Sequence, residues 1–239
     1  MKKTLLTICL VWMCFSLSAQ KIIDLSGKWS FSIDRQDNGE KEKWFSHTLN
    51  DFINLPGSMP EKLKGDEVTA KTQWTGSLYD SSYYYNPYME KYRKEGNIKF
   101  PFFLTPDKHY VGAAWYQKEV NIPADWKGER ILLFLERPHI ETTVWVNGQK
   151  TGMQNSLCVP HQYDITRYVR PGKCTITIRV DNRIKEINVG PDSHSITDQT
   201  QGNWNGIVGR ICLQTTPKTY FDDIQIYPEP EQKLARVKV

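Results

Sequence analysis

Apolar and polar residues alternate along much of this chain, which is the pattern of β-strands that bury one face. The clearest alternating runs cover residues 28–34, 114–122 and 174–181, and Lys118 is the one exception among their buried-face positions. The apolar positions of these runs are Trp29, Phe31 and Ile33, then Ala114, Tyr116, Val120 and Ile122, and then Cys174, Ile176, Ile178 and Val180. In the first run, the polar positions between them end at Asp34. The pattern predicts three strands, each with one face in a core.

Other segments indicate strands for different reasons. Residues 131–135 are apolar at every position, which is typical of a strand covered on both faces. Residues 142–146 are β-branched or aromatic, and the Asn147-Gly148 pair that follows predicts a tight hairpin turn. Helical patterns are nearly absent, and only residues 51–53 and 123–126 favour short helices. Many short strands with Gly, Pro and Asn turns between them predict an all-β protein, a sandwich or jelly roll.

The last residues of the chain alternate once more. After Pro228-Glu229-Pro230 comes LARVKV, which predicts a strand with nothing after it to pair with. A lone strand cannot satisfy its backbone hydrogen bonds. Two alternatives follow: the strand closes the first domain as an edge strand, or it begins a further domain.

Two regions break the strand pattern. The stretch HSITDQTQGNWNGIVGR, residues 194–210, places His, Asp, Gln, Asn and Trp between glycines. Residues 79–110 form a second irregular region that is rich in tyrosine and phenylalanine. Irregular segments of this length are uncommon inside a compact domain and are often functional. The aromatic residues either form a stacking platform for a polysaccharide or pack against their own domain. For His109 and His161 we expect structural roles.

The first 19 residues have the pattern of a secretory signal peptide. Lys2 and Lys3 precede a mostly apolar run, and Leu17-Ser18-Ala19 leaves a small residue for cleavage before Gln20. The apolar run is too short to span the ~30 Å hydrocarbon core of a membrane. We therefore expect a periplasmic or secreted protein without a membrane span.

Charge and cysteine content narrow the function further. Loss of the two leader lysines lowers the formal charge from +4 to +2, and no basic cluster suggests nucleic-acid binding. Cys158, Cys174 and Cys212 remain after cleavage, which allows at most one disulfide, and their spacing indicates no metal site. We expect Cys174 and Cys212 to be buried free thiols. Nothing in the sequence asks for a metal or an organic cofactor.

Several motifs in a fixed order resemble a known family. The run GAAWYQKEVNIPADWKGERILLFLERPHIETTVWVNGQKTG resembles the N-terminal sugar-binding jelly roll of glycoside hydrolase family 2, which includes β-galactosidases, β-glucuronidases and β-mannosidases. DITRYVRPGKCTITIRVDN and NGIVGRICLQ continue the resemblance, and LSGKWSFSID and LPGSM match its opening. The resemblance implies a galactose-binding-domain-like jelly roll over residues 20–217. For residues 218–239 it implies a linker and the first strand of an immunoglobulin-like domain.

The resemblance also implies what this chain lacks. Family members are retaining glycosidases that use two glutamates, about 5–5.5 Å apart, on a (β/α)₈ barrel. A barrel takes ~250 residues, and no strand–helix alternation that could build one is present here. We therefore expect no catalytic residue in this chain and no hydrolysis by this chain alone. We expect its parent enzyme to be β-galactosidase-like.

The polar stretch is the candidate substrate site. In β-galactosidases of the family, the loop before the Gly-Ile strand reaches the sugar, and here that loop precedes Gly206-Ile207. The predicted substrate-binding residues are His194, Asp198, Asn203, Trp204 and Asn205. Asp and Asn supply acceptors and amide donors for hydroxyls, and Trp supplies a flat apolar face. The alternative is an ordinary turn whose Asn and Asp side chains bond their own backbone.

Three functions stay open from the sequence. The first is the sugar-binding domain of a family 2 glycosidase, whose partners are a β-glycoside and the missing immunoglobulin-like and barrel domains. The second is a free-standing carbohydrate-binding module without hydrolase activity. The third is an interaction protein of the cell envelope that binds no sugar.

Overall fold

Short strands make up most of the described chain. The computed structural model describes residues 20–76, 80–185 and 192–239, so the predicted signal peptide over residues 1–19 lies outside the described residues. The strands are β1 (Ile22–Asp24), β2 (Gly27–Asp34), β3 (Asp51–Leu55), β4 (Gly57–Ser58), β5 (Asp66–Glu67), β6 (Lys108–His109), β7 (Ala113–Ile122), β8 (Arg130–Pro138), β9 (Glu141–Val146), β10 (Gln149–Asn155), β11 (His161–Asp164), β12 (Gly172–Asp181), β13 (Gly206–Thr216), β14 (Gln225–Glu229) and β15 (Leu234–Lys238). The helices are α1 (Ser82–Tyr85) and the 3₁₀ turns Trp44–Ser46, Pro60–Lys62, Pro87–Tyr92, Ala124–Trp126, Thr166–Tyr168 and Pro230–Gln232. No helix within the described ranges is long and apolar enough to cross a membrane.

Two antiparallel sheets share one hydrophobic core. The first sheet has the order β1-β13-β8-β11, with β4 also paired to β13, and the second has the order β10-β9-β12-β7-β2-β3. Strand β12 pairs with β7 along its whole length and with β9 on its other side. The core joins Trp29, Tyr116 and Ile178 of the second sheet to Leu133 and Leu213 of the first. The all-β sandwich predicted from the alternating pattern is confirmed.

The outer face of the second sheet carries a smaller apolar cluster. Trp115 and Trp145 lie there with ring centroids 4.9 Å apart. The segment between β2 and β3 packs over them through Trp44, Phe45 and Leu49. This sheet is therefore covered on both faces in that region.

Asp34 anchors the covering segment. It lies on the polar face of β2, as the alternation predicts, but only 3% of it is exposed. Its carboxylate accepts hydrogen bonds from the indole N–H of Trp115 at 2.9 Å and from the backbone N–H groups of Asn38 and Gly39 at 2.9 and 2.8 Å. A polar strand position thus holds a loop in place instead of facing water.

Gly39→Ala is expected to lower the free energy of unfolding by about 2 kcal/mol, because the added methyl group overpacks a buried site. A Cβ at Gly39 would lie 2.5 Å from Nε1 of Trp115 and 2.7 Å from Oδ2 of Asp34. Gly152→Ala is the matched control, since its Cβ would meet only Tyr163 at an ordinary 3.6 Å. Urea unfolding followed by tryptophan fluorescence measures both. Equal stabilities of the two variants would show that the loop yields freely and would contradict the anchor.

The short segments give mixed outcomes. The helix predicted near residues 123–126 is confirmed as the 3₁₀ turn Ala124–Trp126. The helix predicted at residues 51–53 is wrong, because Asp51–Leu55 is strand β3, which pairs with β2 and buries two of its residues. The hairpin turn is confirmed: Asn147 and Gly148 have φ angles of 51° and 75°, as a type I′ turn requires.

The terminal strand has a partner that precedes it in the chain. Strand β15 pairs with β14 in a two-stranded ribbon, and within the described residues it joins neither large sheet. The alternative that it closes the sandwich as an edge strand is therefore wrong. The apolar side chains of the β14–β15 ribbon, such as Ile226 and Val237, are exposed. A ribbon of two strands is marginally stable by itself. The assignment of residues 218–239 to a further domain stays a prediction.

The three cysteines among the described residues, Cys158, Cys174 and Cys212, are free thiols. Cys174 and Cys212 are buried, as the sequence predicts, and Cys158 is exposed. Burial raises the pKa of the Cys174 thiol to about 11 and also raises that of Cys212. Both buried thiols are therefore protonated and unreactive at neutral pH.

Candidate functional site

The polar loop, residues 192–205, lies between β12 and β13. Its predicted substrate-binding residues do not share one environment. Asp198, Asn203 and Asn205 are buried, Trp204 is half-buried, and His194 is exposed. The structure brings Asp198 and Asn203 into direct contact, and it leaves Trp204 and His194 at the surface.

Asp198 holds the loop together from inside. Its side chain is 1% exposed, and its two carboxylate oxygens accept hydrogen bonds from different segments. Oδ1 accepts from the backbone N–H of Asn203 at 2.6 Å, and Oδ2 accepts from the backbone N–H of Thr75 at 2.6 Å. Nε2 of His109 lies 3.4 Å from Oδ2. The carboxylate therefore joins the loop to a segment more than a hundred positions earlier in the chain.

Thr75 is the docking point of that earlier segment. Its carbonyl accepts from the backbone N–H of Asp198 at 3.0 Å and from the hydroxyl of Thr197 at 3.2 Å. Its hydroxyl accepts from Nδ2 of Asn203 at 3.0 Å. The sequence carries no signal for this residue, because a threonine in a loop has no distinctive pattern.

Asn205 lies in the core and uses its whole amide. Its Nδ2 donates to the carbonyls of Gly112 and Val180, both at 2.9 Å, and its Oδ1 accepts from the hydroxyl of Tyr116 at 2.8 Å. The side chain is fully buried. This geometry supports a structural role that fixes the end of the loop, and the contact with sugar stays a prediction.

Asn182 follows β12 directly and, like Asn205, is bonded to Gly112. Its Oδ1 accepts from the backbone N–H of Gly112 and its Nδ2 donates to the carbonyl of Tyr110, both at 2.8 Å. Its own carbonyl accepts from Nδ2 of Asn203 at 3.0 Å. Asn182 therefore links the end of β12 and the segment with Tyr110 and Gly112 to Asn203 in the polar loop.

Trp204 forms the outer wall of the loop. Its indole stacks on His139, with ring centroids 4.5 Å apart and an interplanar angle of 24°. His139 donates from Nδ1 to the carbonyl of Trp204, at 2.8 Å. Burial lowers the pKa of His139 to about 4, and this hydrogen bond offsets the shift only in part. The imidazole is therefore neutral at pH 7, and the stacked pair offers a flat, uncharged surface in a shallow groove that His194 and Cys158 also line.

Several buried polar atoms around the loop have no hydrogen-bond partner among the described residues. They are Nε1 of Trp74, Nε2 of His109, Oε1 of Gln199 and Oδ1 of Asn203. Buried polar atoms are nearly always bonded in proteins, and exceptions point to a water, an ion or a ligand. No group of three or more His, Cys, Asp or Glu side chains in the described part of the chain is arranged to hold a metal ion.

The aromatic region packs partly against its own domain. Tyr83 and Phe100 are buried and stacked, with centroids 4.7 Å apart. Trp74 contacts Phe103 at 5.0 Å and His109 at 4.8 Å, so this cluster reaches the polar loop. Tyr85 and Tyr88 remain exposed. The buried rings pack against their own domain, as one of the two alternatives predicted. Only the exposed rings could still belong to a stacking platform for a polysaccharide.

Comparison with known proteins finds similarity to β-glucuronidases. The chain is 25% identical over 237 residues to the β-glucuronidase of Homo sapiens, and the match covers 87% of this chain and 31% of that protein. It is 27% identical over 222 residues to the β-glucuronidase of Paenibacillus borealis, with the same coverage of both. The chain thus spans about a third of the length of these relatives.

Solved structures support the fold. A β-glucuronidase from an uncultured Clostridium sp. matches with a TM-score of 0.58 and 21% identity, over 88% of this chain and 31% of that one. A β-glucuronidase from Ruminococcus gnavus, solved in complex with D-glucuronic acid, matches with a TM-score of 0.60 and 16% identity, over 89% of this chain and 32% of that one. The model of the sugar-binding domain of glycosyl hydrolases family 2 matches residues 22–217. Because that match takes in both sheets and the polar loop between β12 and β13, the chain belongs to glycosyl hydrolases family 2 and carries its sugar-binding domain.

Proposed function

We propose that this chain is the sugar-binding part of a β-glucuronidase-like glycosidase, and that the polar loop contributes to the sugar site of that enzyme. The relatives described above are all named β-glucuronidases. From the sequence we expected a β-galactosidase-like parent enzyme. These relatives favour a β-glucuronidase-like one instead. The two glutamates of a retaining mechanism would lie outside this chain.

The observation that supports the site is the anchoring of the loop through Asp198. A loop fixed by buried hydrogen bonds loses little conformational entropy when it meets a ligand. A carboxylate has about four lone-pair positions, and two of those of Asp198 are taken by backbone N–H groups. Because Asp198 is 1% exposed, a sugar hydroxyl reaches it only if the Thr75 segment moves. Trp204 and His194 need no such movement to meet a ligand.

Two roles follow for the loop in the proposed enzyme. Asp198, Asn203 and Asn205 hold its shape, and Trp204 and His194 present an aromatic face and a polar ring to the sugar. An indole covers the C–H face of a sugar ring, and its neutral neighbour His139 adds no charge to that surface. The pattern of residues 1–19 adds the proposal that the enzyme works in the periplasm or outside the cell.

Asp198→Ala is expected to lower kcat for p-nitrophenyl β-D-glucuronide about 100-fold, because misplacement of a substrate-positioning element by ~1 Å has effects of this size. The assay uses the complete product of the gene that encodes this chain. Asp107→Ala, which removes an exposed carboxylate, is the control and is expected to leave kcat within twofold. An unchanged kcat in the Asp198 variant would remove the loop from the proposed function.

The same preparation tests the substrate class. Wild-type enzyme is assayed with the p-nitrophenyl β-glucuronide, β-galactoside and β-mannoside at equal concentration. We expect the glucuronide to be cleaved at least tenfold faster than the others. Preference for the galactoside would restore the original expectation from sequence, and cleavage of none would contradict the glycosidase proposal.

A further inference from the structure

Thr142, His161 and Tyr163 form a polar group between the two sheets, which we call the buried triad. Thr142 lies on β9 of the second sheet, and His161 and Tyr163 lie on β11 of the first. Thr142 and His161 are fully buried, and Tyr163 is 4% exposed. The triad reaches the loop between β10 and β11 through His161, whose Nε2 lies 3.2 Å from the carbonyl oxygen of Ser156.

The loop between β10 and β11 forms one wall of the groove at Trp204. Leu157 and Cys158 of this loop line the groove, and Ser156 directly precedes them in the chain. A hydrogen bond from His161 to the Ser156 carbonyl holds that wall to the core of the domain. The position of one hydrogen atom on a buried ring therefore bears on the shape of an exposed groove.

Four close contacts join these groups, and each needs a hydrogen atom between its two polar atoms. Oγ1 of Thr142 lies 2.6 Å from Nδ1 of His161 and 2.7 Å from the hydroxyl of Tyr163. The hydroxyl of Tyr163 also donates to the Thr142 carbonyl at 2.9 Å, and the contact with Ser156 is the fourth. With a neutral imidazole the triad has three hydrogens to give, one on each side chain. One of the four contacts then lacks a hydrogen.

The three shorter contacts determine which one lacks it. Burial raises the pKa of Tyr163 to about 12, so its hydroxyl keeps the hydrogen that it donates to the Thr142 carbonyl. The Tyr163 hydroxyl then accepts from the hydroxyl of Thr142, and Oγ1 of Thr142 accepts from Nδ1 of His161. This chain of bonds places the imidazole hydrogen on Nδ1. The lone pair of Nε2 then faces the oxygen of Ser156, and two acceptors do not attract each other.

Protonation of His161 supplies the missing hydrogen. Burial lowers the pKa of His161 from its ordinary value of about 6.5, and the Ser156 carbonyl offsets the shift only in part. The ring is therefore neutral at pH 7 and gains its second hydrogen only under acidic conditions. All four contacts are then hydrogen bonds.

Charged groups near the triad do not set this protonation. On β11, on the strands around it and in the loop, the charged or titratable side chains besides the triad are Arg130, Glu136, Arg137, Glu141, Lys150, Cys158 and Asp164. Asp164 pairs with Arg130 at 2.8 Å. Glu141 pairs with Lys185, also at 2.8 Å. The pKa shift of His161 comes from burial and from the neighbouring carbonyl, and from none of these side chains.

We propose that His161 is a pH switch for the groove at Trp204. At neutral pH the triad leaves the Ser156 carbonyl free, and under acidic conditions the protonated ring ties it to the core. A ligand of the groove then meets a more rigid wall in acid. The inference goes beyond the proposed function and does not depend on it, because every contact in it lies within this chain.

The hydrogen on the imidazole ring is the first quantity to measure. Two-bond ¹H–¹⁵N correlation spectra of the chain show which ring nitrogen of His161 carries a hydrogen. We expect Nδ1 alone at about pH 7.5 and both nitrogens by about pH 4.5. Across the same titration, the {¹H}–¹⁵N nuclear Overhauser effects of the Leu157 and Cys158 amides should rise as the loop becomes more rigid.

Two substitutions should move that hydrogen at neutral pH. Tyr163→Phe frees the Thr142 hydroxyl to donate to Nδ1, and Thr142→Val removes the acceptor that Nδ1–H needs. In either variant we expect neutral His161 to carry its hydrogen on Nε2, to donate to Ser156 already at about pH 7.5, and to abolish the pH response of the loop. Tyr88→Phe removes a phenol that is 84% exposed and is expected to behave like wild type.

Wild type alone decides the switch if neither variant folds. A neutral ring with its hydrogen on Nε2, a ring that stays neutral down to about pH 4.5, or loop amides that do not respond to the titration would each overturn it. An unchanged ring in folded Tyr163→Phe and Thr142→Val would do the same. Cleavage of p-nitrophenyl glucuronide by the complete gene product bears on the proposed function alone, so the two proposals fail separately.

Discussion

Asn205→Asp is expected to lower the free energy of unfolding by about 4 kcal/mol, because it places a carboxylate where two carbonyls need donors. Nδ2 of Asn205 donates to Gly112 and Val180, and the residue is fully buried. The substitution keeps the size of the side chain and reverses the role of those atoms. Urea unfolding at pH 7 measures the loss, and loss of the folded baseline would count as the same result.

Two comparisons make that prediction specific. Asn205→Ala removes the same donors but leaves space in which a water can bridge the carbonyls, so we expect it to cost less than the aspartate variant. Asn121→Asp makes the same change at an exposed position of β7 and is expected to stay within about 0.5 kcal/mol of wild type. If the alanine and aspartate variants at position 205 are equally stable, the carboxylate adds no cost beyond the loss of the two N–H donors, and the prediction is wrong.

Asp181→Asn is expected to lower the free energy of unfolding at pH 7 by about 3 kcal/mol, since it removes the central carboxylate of a buried ion network. Asp181 is fully buried, and its Oδ2 lies 3.1 Å from Nη2 of Arg179, 2.6 Å from Nη2 of Arg183 and 2.9 Å from Nζ of Lys185. Arg179 is itself only 7% exposed. The variant leaves that guanidinium with the partners Asp37 and Glu141 alone. The figure is set at the low end because Arg183 and Lys185 reach solvent.

The pH dependence identifies the cause of that loss. Burial alone would raise the pKa of Asp181, but hydrogen bonds from Arg183 and Lys185 and the charge of Arg179 outweigh it and hold the pKa well below 3.8. A depressed folded-state pKa gives stability that is present above the unfolded value and is lost as pH falls below it. Wild type and variant should therefore differ fully at pH 5–7, begin to converge as pH falls below about 4, and meet only as pH passes through the depressed folded-state pKa. A difference that is constant down to pH 3, or absent at pH 7, would contradict the network, and Asp222→Asn, at an exposed position, controls for a general effect of lost charge.

Sequence patterns predicted the strands well because their cause is local. A period of two places alternate residues on one face, and the Asn147-Gly148 pair carries its own turn geometry. The helix prediction at residues 51–53 was wrong because this run is too short to show whether its apolar residues repeat with the period of a helix or of a strand. No local pattern distinguishes a strand of that length from a turn of helix.

The polar core was harder to predict because its partners are distant in sequence. The carboxylate of Asp34 meets an indole 81 positions later, and Tyr116 meets an amide 89 positions later. A polar residue in a predicted strand is expected to face solvent unless the distant residue that it hydrogen-bonds to is known. The polar loop was found by composition, whereas Thr75, which holds it, was not, because the docking of one loop on another follows from the assembled sandwich.

The position of the exposed thiol allows a spectroscopic label to be attached beside the polar loop without introducing a new cysteine. In the described chain, Cys158 is the exposed cysteine, and the two others are buried and protonated at neutral pH. Of the cysteines in the described ranges, maleimide or nitroxide reagents would therefore react with Cys158, beside Trp204 and His194. A nitroxide there would quench the fluorescence of Trp204 and report any displacement of the loop when a glycan is added. The native sequence thus supplies a reporter at the edge of the surface whose function is proposed.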